Sequence, residues 1–482
     1  MSKIKHFFIA SFVLIIFVFS SCTSISSETK KTNDNLAIPE GFSEISGLWF
    51  GDLKIQGQTL RLAFIIDKNP FDYNRVLFYF ISVDQGGTSV VGSSLQKKDD
   101  EWVLYFEDAN VKCNFKVVDK DNLAGKFWQN GLTLNLSLKR ASRPDTPEPP
   151  FDYESIDVSF KNEIDNIDLY GTLTIPSNLA LSKNGKLPCI IFITGSGAQD
   201  RDENMYEHKP FFLLSDYFTK VGFATLRMDD RGIGYSSELF TNSTSLDFAN
   251  DIISAVKFAE SQTKIDADRI GLCGHSEGGL IAFIVGATIP DKISFIISLA
   301  GPGQRGKELL LTQQILIAKA NGISEKDIEK GNKLNEELFD TIILHKNEKD
   351  TESLEKDLIN TLNKHSIPKS QQKLLLAQLL NPWFRFFIAC DPKDYLKDVK
   401  AHVLAVNGEL DLQVYYKDNL SQIEKTLKQN GNYNVLTKSF PGLNHLFQPA
   451  KTGNPSEYMF IEQTFSKEVM EFIKLWLLEL NK

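Results

Sequence analysis

Three side chains spaced widely along this chain could together make a hydroxyl attack an acyl carbon: Ser276, Asp411 and His445. Ser276 is the centre of Gly274-His275-Ser276-Glu277-Gly278, directly after a strand-like run, Arg269 to Cys273. An apolar helical pattern, Leu280 to Val285, follows at once. A serine on so sharp a strand-to-helix turn is held clear of the sheet, where a base reaches it. The flanking glycines are expected because the turn brings backbone segments too close for Cβ atoms. The pentapeptide alone is weak, since it arises by chance in roughly one chain in six of this length. Its context must carry the reading.

An acid and a histidine should follow, each just past a strand. His402 to Gly408 reads as a buried strand, and Glu409, Leu410 and Asp411 come immediately after it. Asp411 is assigned as the orienting acid, with Glu409 in reserve. A second strand, Tyr433 to Phe440, ends in Pro441-Gly442-Leu443-Asn444-His445, which sets His445 in a loop. Serine is a poor nucleophile until a base removes its proton, and a carboxylate fixes the tautomer of that base. Among the other histidines, His208 is the reserve base, and His275 is expected to pack beside the turn. An acyl-transfer site also needs donors for the oxyanion. The backbone N–H of Glu277 is one. The N–H of Ser196, with Gly197 as its neighbour, is the other, in the glycine-rich loop after the strand Cys189 to Ile193. That loop lacks the Lys-Ser/Thr ending of a P-loop and the third glycine of a dinucleotide fingerprint, so nucleotide binding is not expected.

These motifs resemble those of the α/β-hydrolase family, and more narrowly its bacterial esterases related to prolyl-oligopeptidase-type and dienelactone-hydrolase-type enzymes. The resemblance rests on residues 195–202 (GSGAQDRD), 229–236 (DDRGIGYS), the 274–279 turn, 407–414 (NGELDLQV) and Leu443-Asn444-His445, in that order. It covers roughly residues 150–482. It implies a mostly parallel sheet, a Ser-Asp-His triad, no metal and no organic cofactor. The Asp229-Asp230-Arg231 stretch is expected to be structural, with Arg231 bridging a local carboxylate. Asp200, Arg201 and Asp202 are expected near the pocket mouth, as a surface salt-bridge cluster before a substrate-selecting one.

The elements that must position these residues are legible in outline. From residue 151 strands and helices alternate, which argues for a parallel sheet covered on both faces. Residues 304–395 change to helices only, with Leu334, Leu338 and Ile342 on one face, and read as a cap over the carboxyl edge of the sheet. Asn381 to Phe387 closes it with an aromatic group that either lines a pocket or packs cap on core. Ahead of residue 143, short alternating runs with turn residues between them imply a small all-β barrel or sandwich over residues 40–142. That part resembles the lipocalin-like β-domain found before some hydrolases of this group. Trp49 and Trp128 are expected in its core. Arg143 to Pro150 reads as a stiff proline-rich linker.

The chain has 482 residues and a formal charge of -9, with 42% hydrophobic residues and 35 Phe. That content supports real cores, and a mildly acidic chain without a basic run is no natural nucleic-acid binder. Residues 1–21 read as an export signal of lipoprotein type, with Lys3 and Lys5 before the apolar stretch Phe7 to Phe19. Cys22 would then carry acyl chains, anchor the protein to a membrane of the bacterial envelope, and be followed by a tether over residues 22–39. A plain secretory signal is the alternative. Cys113, Cys189, Cys273 and Cys390 are expected to be buried free thiols. The expected function is a serine hydrolase cleaving small carboxylic esters. A peptidase or amidase, and a non-catalytic envelope binding protein on the same fold, are the alternatives.

Overall fold

The computed structural model describes residues 36–481 apart from 56, 86, 88, 237–241 and 348–350. The expected export signal and Cys22 lie outside the described residues. Residues 36–39, at the end of the expected tether, are already held by the β-domain. Leu36 is buried, and its carbonyl accepts the N–H of Val76 at 2.9 Å.

The N-terminal strands are β1 (Gly47–Ile55), β2 (Gln58–Asn69), β3 (Asp72–Ser82), β4 (Ser89–Val91), β5 (Ser94–Lys98), β6 (Glu101–Phe106), β7 (Val111–Asp119), β8 (Asn122–Gln129) and β9 (Leu132–Arg140). They form one antiparallel nine-stranded sheet, ordered β4-β3-β2-β1-β9-β8-β7-β6-β5. The sheet curls until its ends meet across two residues. The N–H of Gly92 donates to Phe78 in β3, and that of Ser93 to Tyr105 in β6. Inside the curl, Phe64 packs against Phe80, Phe106 and Phe115, with Trp49 and Trp102 fully buried beside them. Trp128 departs from expectation. Phe127 takes the inward position of β8, so Trp128 faces outward and is 37% exposed, opposite Lys112 and Thr133. In a strand, adjacent residues cannot share a face.

The second sheet has eight strands: β10 (Glu154–Asn162), β11 (Ile167–Ile175), β12 (Leu187–Ile193), β13 (Ala224–Met228), β14 (Ile265–His275), β15 (Phe295–Leu299), β16 (His402–Gly408) and β17 (Val435–Phe440). Their order is β10-β11-β13-β12-β14-β15-β16-β17. β12 to β17 run parallel, while β10 and β11 are antiparallel to their neighbours. Central strands buried on both faces need apolar residues at every position, and β12, Leu-Pro-Cys-Ile-Ile-Phe-Ile, is buried throughout. Helices Ser245–Ser261 and Glu277–Thr288 cover one face. Helices Pro210–Val221 and Lys467–Leu480 cover the other. Between β15 and β16 the regular elements among the described residues are helices only, from Gly306–Ala320 to Lys393–Leu396, and Leu334, Leu338 and Ile342 are buried on one shared face. The loops after β12, β14, β16 and β17 all leave the carboxyl edge of the sheet, where open α/β sheets bind ligands.

The proline-rich linker is pinned down along its length. Arg143 donates to the carbonyls of Tyr206 and Met459, and Asp145 accepts the N–H of Thr464 at 2.7 Å.

Candidate active site

Ser276 ends β14 and caps helix Glu277–Thr288 with φ 52° and ψ -121°. An L-residue held at such a backbone stores strain, which the surroundings must over-determine. They do so here through close backbone packing. A Cβ on Gly274 would meet the carbonyl of Gly278, and one on Gly278 would meet the carbonyls of Ile193 and Thr194. The Ser276 N–H is fixed to the carbonyl of Leu299 at 2.8 Å. The serine therefore projects at the junction of β12, β14 and β15.

Asp411 and His445 meet as expected. The His445 Nδ1 lies 2.7 Å from Asp411 Oδ2, and both residues are buried. The other carboxylate oxygen of Asp411 accepts the N–H groups of Gln413 at 2.7 Å and Val414 at 2.9 Å. Three acceptor contacts hold this side chain in one orientation. Asn444 shapes the histidine loop by accepting the N–H groups of Leu446 and Gln448. The loop rests on the serine turn: His275 Nε2 is 3.0 Å from the His445 carbonyl, and the two imidazole rings are 4.8 Å apart. Glu409, the reserve acid, turns away and accepts the hydroxyl of Ser439. His208, the reserve base, is buried between the Thr464 hydroxyl and the Tyr458 carbonyl.

The loop after β12 lies over the nucleophile, with the Gly195 Cβ position 3.3 Å from the Cβ of Ser276. It carries Ser196 and Gly197, the latter at φ 105°. Glu277 begins a helix, so its N–H has no intrahelical acceptor and points out of the helix start. Two carboxylates brace this loop: Glu203, which the sequence reading passed over, and Asp230, from the stretch expected to be structural. Glu203 accepts the Gly195 N–H at 2.7 Å. Asp230 accepts the Thr194 hydroxyl at 2.7 Å and the Gln199 N–H at 3.0 Å. Burial pushes the Asp230 carboxyl well above the ordinary carboxylate range. Glu203 has no motif of its own, Asp230 sits in the 229–236 motif, and only the fold brings them to Gly195 and Thr194.

The neighbouring motifs resolve into structural roles. Arg231 bridges Asp251 and Asp165, at 2.7 and 2.8 Å. Arg201 forks onto Asp229, and Arg227 pairs with Asp202 and stacks on Phe212. This network is partly buried, because Asp229 is fully covered and Arg227 only 5% exposed. The expected surface cluster is thus an internal one. Trp383 donates its indole N–H to the Glu277 carboxylate at 2.8 Å and stacks on Phe387 at 5.3 Å. The Ser245 hydroxyl reaches the same carboxylate at 2.5 Å. Burial raises the Glu277 pKa against the pull of these two donors. For Trp383, the aromatic group therefore packs the helical segment onto the serine turn. Cys113, Cys189, Cys273 and Cys390 are free and buried. Among the described residues no His, Cys, Asp and Glu cluster could hold a metal ion.

Residues 207–361 match the Hydrolase_4 family, described as serine aminopeptidase, S33. The chain is 23% identical over 380 residues to Esterase EstD of Thermotoga maritima, covering 78% of this chain and 79% of that protein. It is 29% identical over 153 residues to Putative hydrolase YtaP of Bacillus subtilis, covering 28% of this chain and 50% of that one. Among solved structures, Est1E from Butyrivibrio proteoclasticus aligns at 19% identity with a TM-score of 0.38, over 67% of this chain and 98% of that one. Likeness at that level carries no argument. The strand order and the strained serine turn at the carboxyl edge do: they give the C-terminal part of this chain an α/β-hydrolase fold, within which residues 207–361 are similar to the Hydrolase_4 family.

Proposed function

We propose that the chain cleaves carboxylic esters through an acyl-enzyme formed on Ser276. The buried 2.7 Å contact of His445 with Asp411, packed against the serine turn, carries this reading. Nδ1–H donates to the carboxylate, so Nε2 holds the free electron pair and acts as base. Ser276 Oγ attacks the carbonyl carbon while His445 takes its proton. The N–H groups of Glu277 and Ser196 (or Gly197) hold the developing oxyanion. Collapse breaks the bond to the alcohol oxygen, which leaves with the proton from His445. Water, deprotonated by the same imidazole, then releases the carboxylic acid and restores the serine. The similarity to Esterase EstD supports an ester substrate. The serine aminopeptidase description of the matched family keeps a peptidase as the second reading.

A fluorophosphonate probe and short p-nitrophenyl esters, run beside aminoacyl-nitroanilides, test both. The wild type should label and turn over the esters, and Ser276→Ala or His445→Ala should lose at least about 10³-fold in kcat. Faster anilide cleavage would move the assignment to a peptidase. A folded wild type that never labels would leave only a non-catalytic binding protein. The helices of residues 304–395 would act as a cap that excludes bulk water. The N-terminal sheet would serve as the lipocalin-like module ahead of the catalytic one. An acyl anchor at Cys22 would hold both in the cell envelope, and palmitate incorporation abolished by Cys22→Ser is its test.

A further inference from the structure

Behind the triad lies a second carboxylate–imidazole contact that the acyl-transfer steps do not use. Glu203 Oε1 sits 2.9 Å from His275 Nδ1, and both side chains are buried. The same oxygen accepts the Gly195 N–H at 2.7 Å. The opposite ring nitrogen, Nε2, faces the carbonyl oxygen of His445 at 3.0 Å. A carbonyl oxygen only accepts, so Nε2 must carry a hydrogen. A carboxylate that already accepts one N–H also calls for a hydrogen on Nδ1. With Glu203 accepting as a carboxylate, both nitrogens of His275 donate, which is the hydrogen-bond pattern of an imidazolium. Glu203 holds φ 52°, a strained backbone that places its side chain between two loops.

We propose that Glu203 and His275 are positioning residues: one carboxylate ties the oxyanion loop to the serine turn, and the imidazolium it holds carries the backbone of the general base. Three chain segments far apart in sequence (residues 195, 275 and 445) converge on this pair. Its charge also acts on the base. The His275 ring stands 4.8 Å from the His445 ring, with Glu203 on its far side. A nearby positive charge disfavours a second one, so removing the charge of His275 is expected to move the acid limb of the rate profile upward. The groups facing the pair are few. His445 and Asp411 come from the C-terminal loops, Cys273 from the strand of His275 itself, and Tyr458 stands beyond Asp411. The raised pKa of His275, which Glu203 and Asp411 drive against burial, agrees with the donor count.

This proposal rests on the acyl-enzyme reading, and its test is arranged to fail separately. Fluorophosphonate labelling of the full-length wild type comes first, because absence of labelling sinks the hydrolase reading before any variant is compared. The deciding measurement is the pH profile of kcat/KM on p-nitrophenyl acetate. His275→Gln keeps an amide in the same space and removes the charge. Its acid limb should move up by about half to one pH unit, with kcat several-fold lower and KM within about two-fold. An acid limb that stays put, or moves down, overturns the proposal. Glu203→Gln is the second variant should the first not fold: it removes the carboxylate that ties the loop to the imidazole, so kcat should fall several-fold with KM within about two-fold, and an unaltered kcat overturns the proposal. Histidine-selective ¹⁵N NMR of the wild type needs neither variant nor turnover. A doubly protonated ring at pH 7 that resists titration supports the pair, whereas a set of wholly neutral histidines overturns it.

Discussion

At φ 52°, Ser276 adopts a backbone that suits glycine better than serine, yet a glycine there would have no hydroxyl. The strain is affordable because Gly274 and Gly278 let three backbone segments close around the turn. His208 shows the opposite economy, a titratable group kept neutral. It is buried between Thr464 and Tyr458 beside Arg143, and burial, then that cation, pushes its pKa from 6.5 down to about 3. The unfolded chain binds a proton at this ring below pH 6.5, while the folded chain does not until about pH 3. Stability from this residue is therefore complete above pH 6.5 and lost as pH falls towards 3, by up to about 1.4 kcal/mol per pH unit. Replacing it by glutamine keeps hydrogen-bonding capacity without the titration. The melting temperature of His208→Gln should fall less steeply than that of the wild type between pH 6.5 and pH 4. Parallel curves would show that His208 is not the acid-sensitive group.

At the scale of elements, much of the active-site half was legible because its chemistry sits at strand ends. The strand His402–Gly408 falls where the apolar run placed it, and strands and helices alternate as expected, with the helix Ser245–Ser261 ahead of the serine strand. Periodicity alone sufficed there, since strands buried on both faces and helices with one apolar stripe leave different patterns. Two strands of the first sheet, Ser89–Val91 and Ser94–Lys98, left no such trace. In the second only Leu95 is buried, so there was no alternation to read. Parity misled at Trp128, because the run Gly125 to Trp128 offers two large residues for one inward position and Phe127 takes it. Glu203, and the partners of Asp230, were beyond reach for a different reason. The partners of both acids are backbone N–H groups and hydroxyls on a loop that only the tertiary fold brings near. Trp383 was seen as aromatic mass. Its single polar atom, which finds Glu277 more than a hundred positions away, was not.

Across the whole molecule, the first three strands carry a signal that the last strand of the β-domain lacks. Leu48-Trp49-Phe50, Ala63-Phe64-Ile65-Ile66 and Phe78-Tyr79-Phe80-Ile81 are continuous apolar runs, whereas Leu132 to Leu138 alternates strictly. A strand apolar on both faces must be covered on both. Leu48, Ala63 and Ile81 indeed pack with Met459, and Phe50 stacks on Phe460 at 5.1 Å. The hairpin between β2 and β3 docks as well. The Pro70 carbonyl accepts the Gly234 N–H at 2.6 Å, and Tyr73 lies edge-on to Tyr235 at 5.5 Å. A side chain on Gly234 would strike the Tyr73 ring at 2.5 Å, so the glycine of the Asp-Asp-Arg-Gly-Ile-Gly turn serves the domain interface. From Met459 the contact continues inward: the adjacent Tyr458 hydroxyl meets the Gln413 amide at 3.0 Å, and the Gln413 N–H holds Asp411. The β-domain is thus tied to the acid of the triad through two side chains. Removing two of these ring contacts, as Phe50→Ala with Tyr73→Ala, should loosen the coupling of the halves while each core stays intact. Scanning calorimetry of the full chain should then resolve two cooperative transitions where the wild type gives one, and kcat on p-nitrophenyl acetate should fall more than KM rises, because Asp411 loses its brace while the pocket keeps its walls. A single transition in the double variant, at unaltered kcat, would mean that the β-domain rides on the hydrolase without supporting its site.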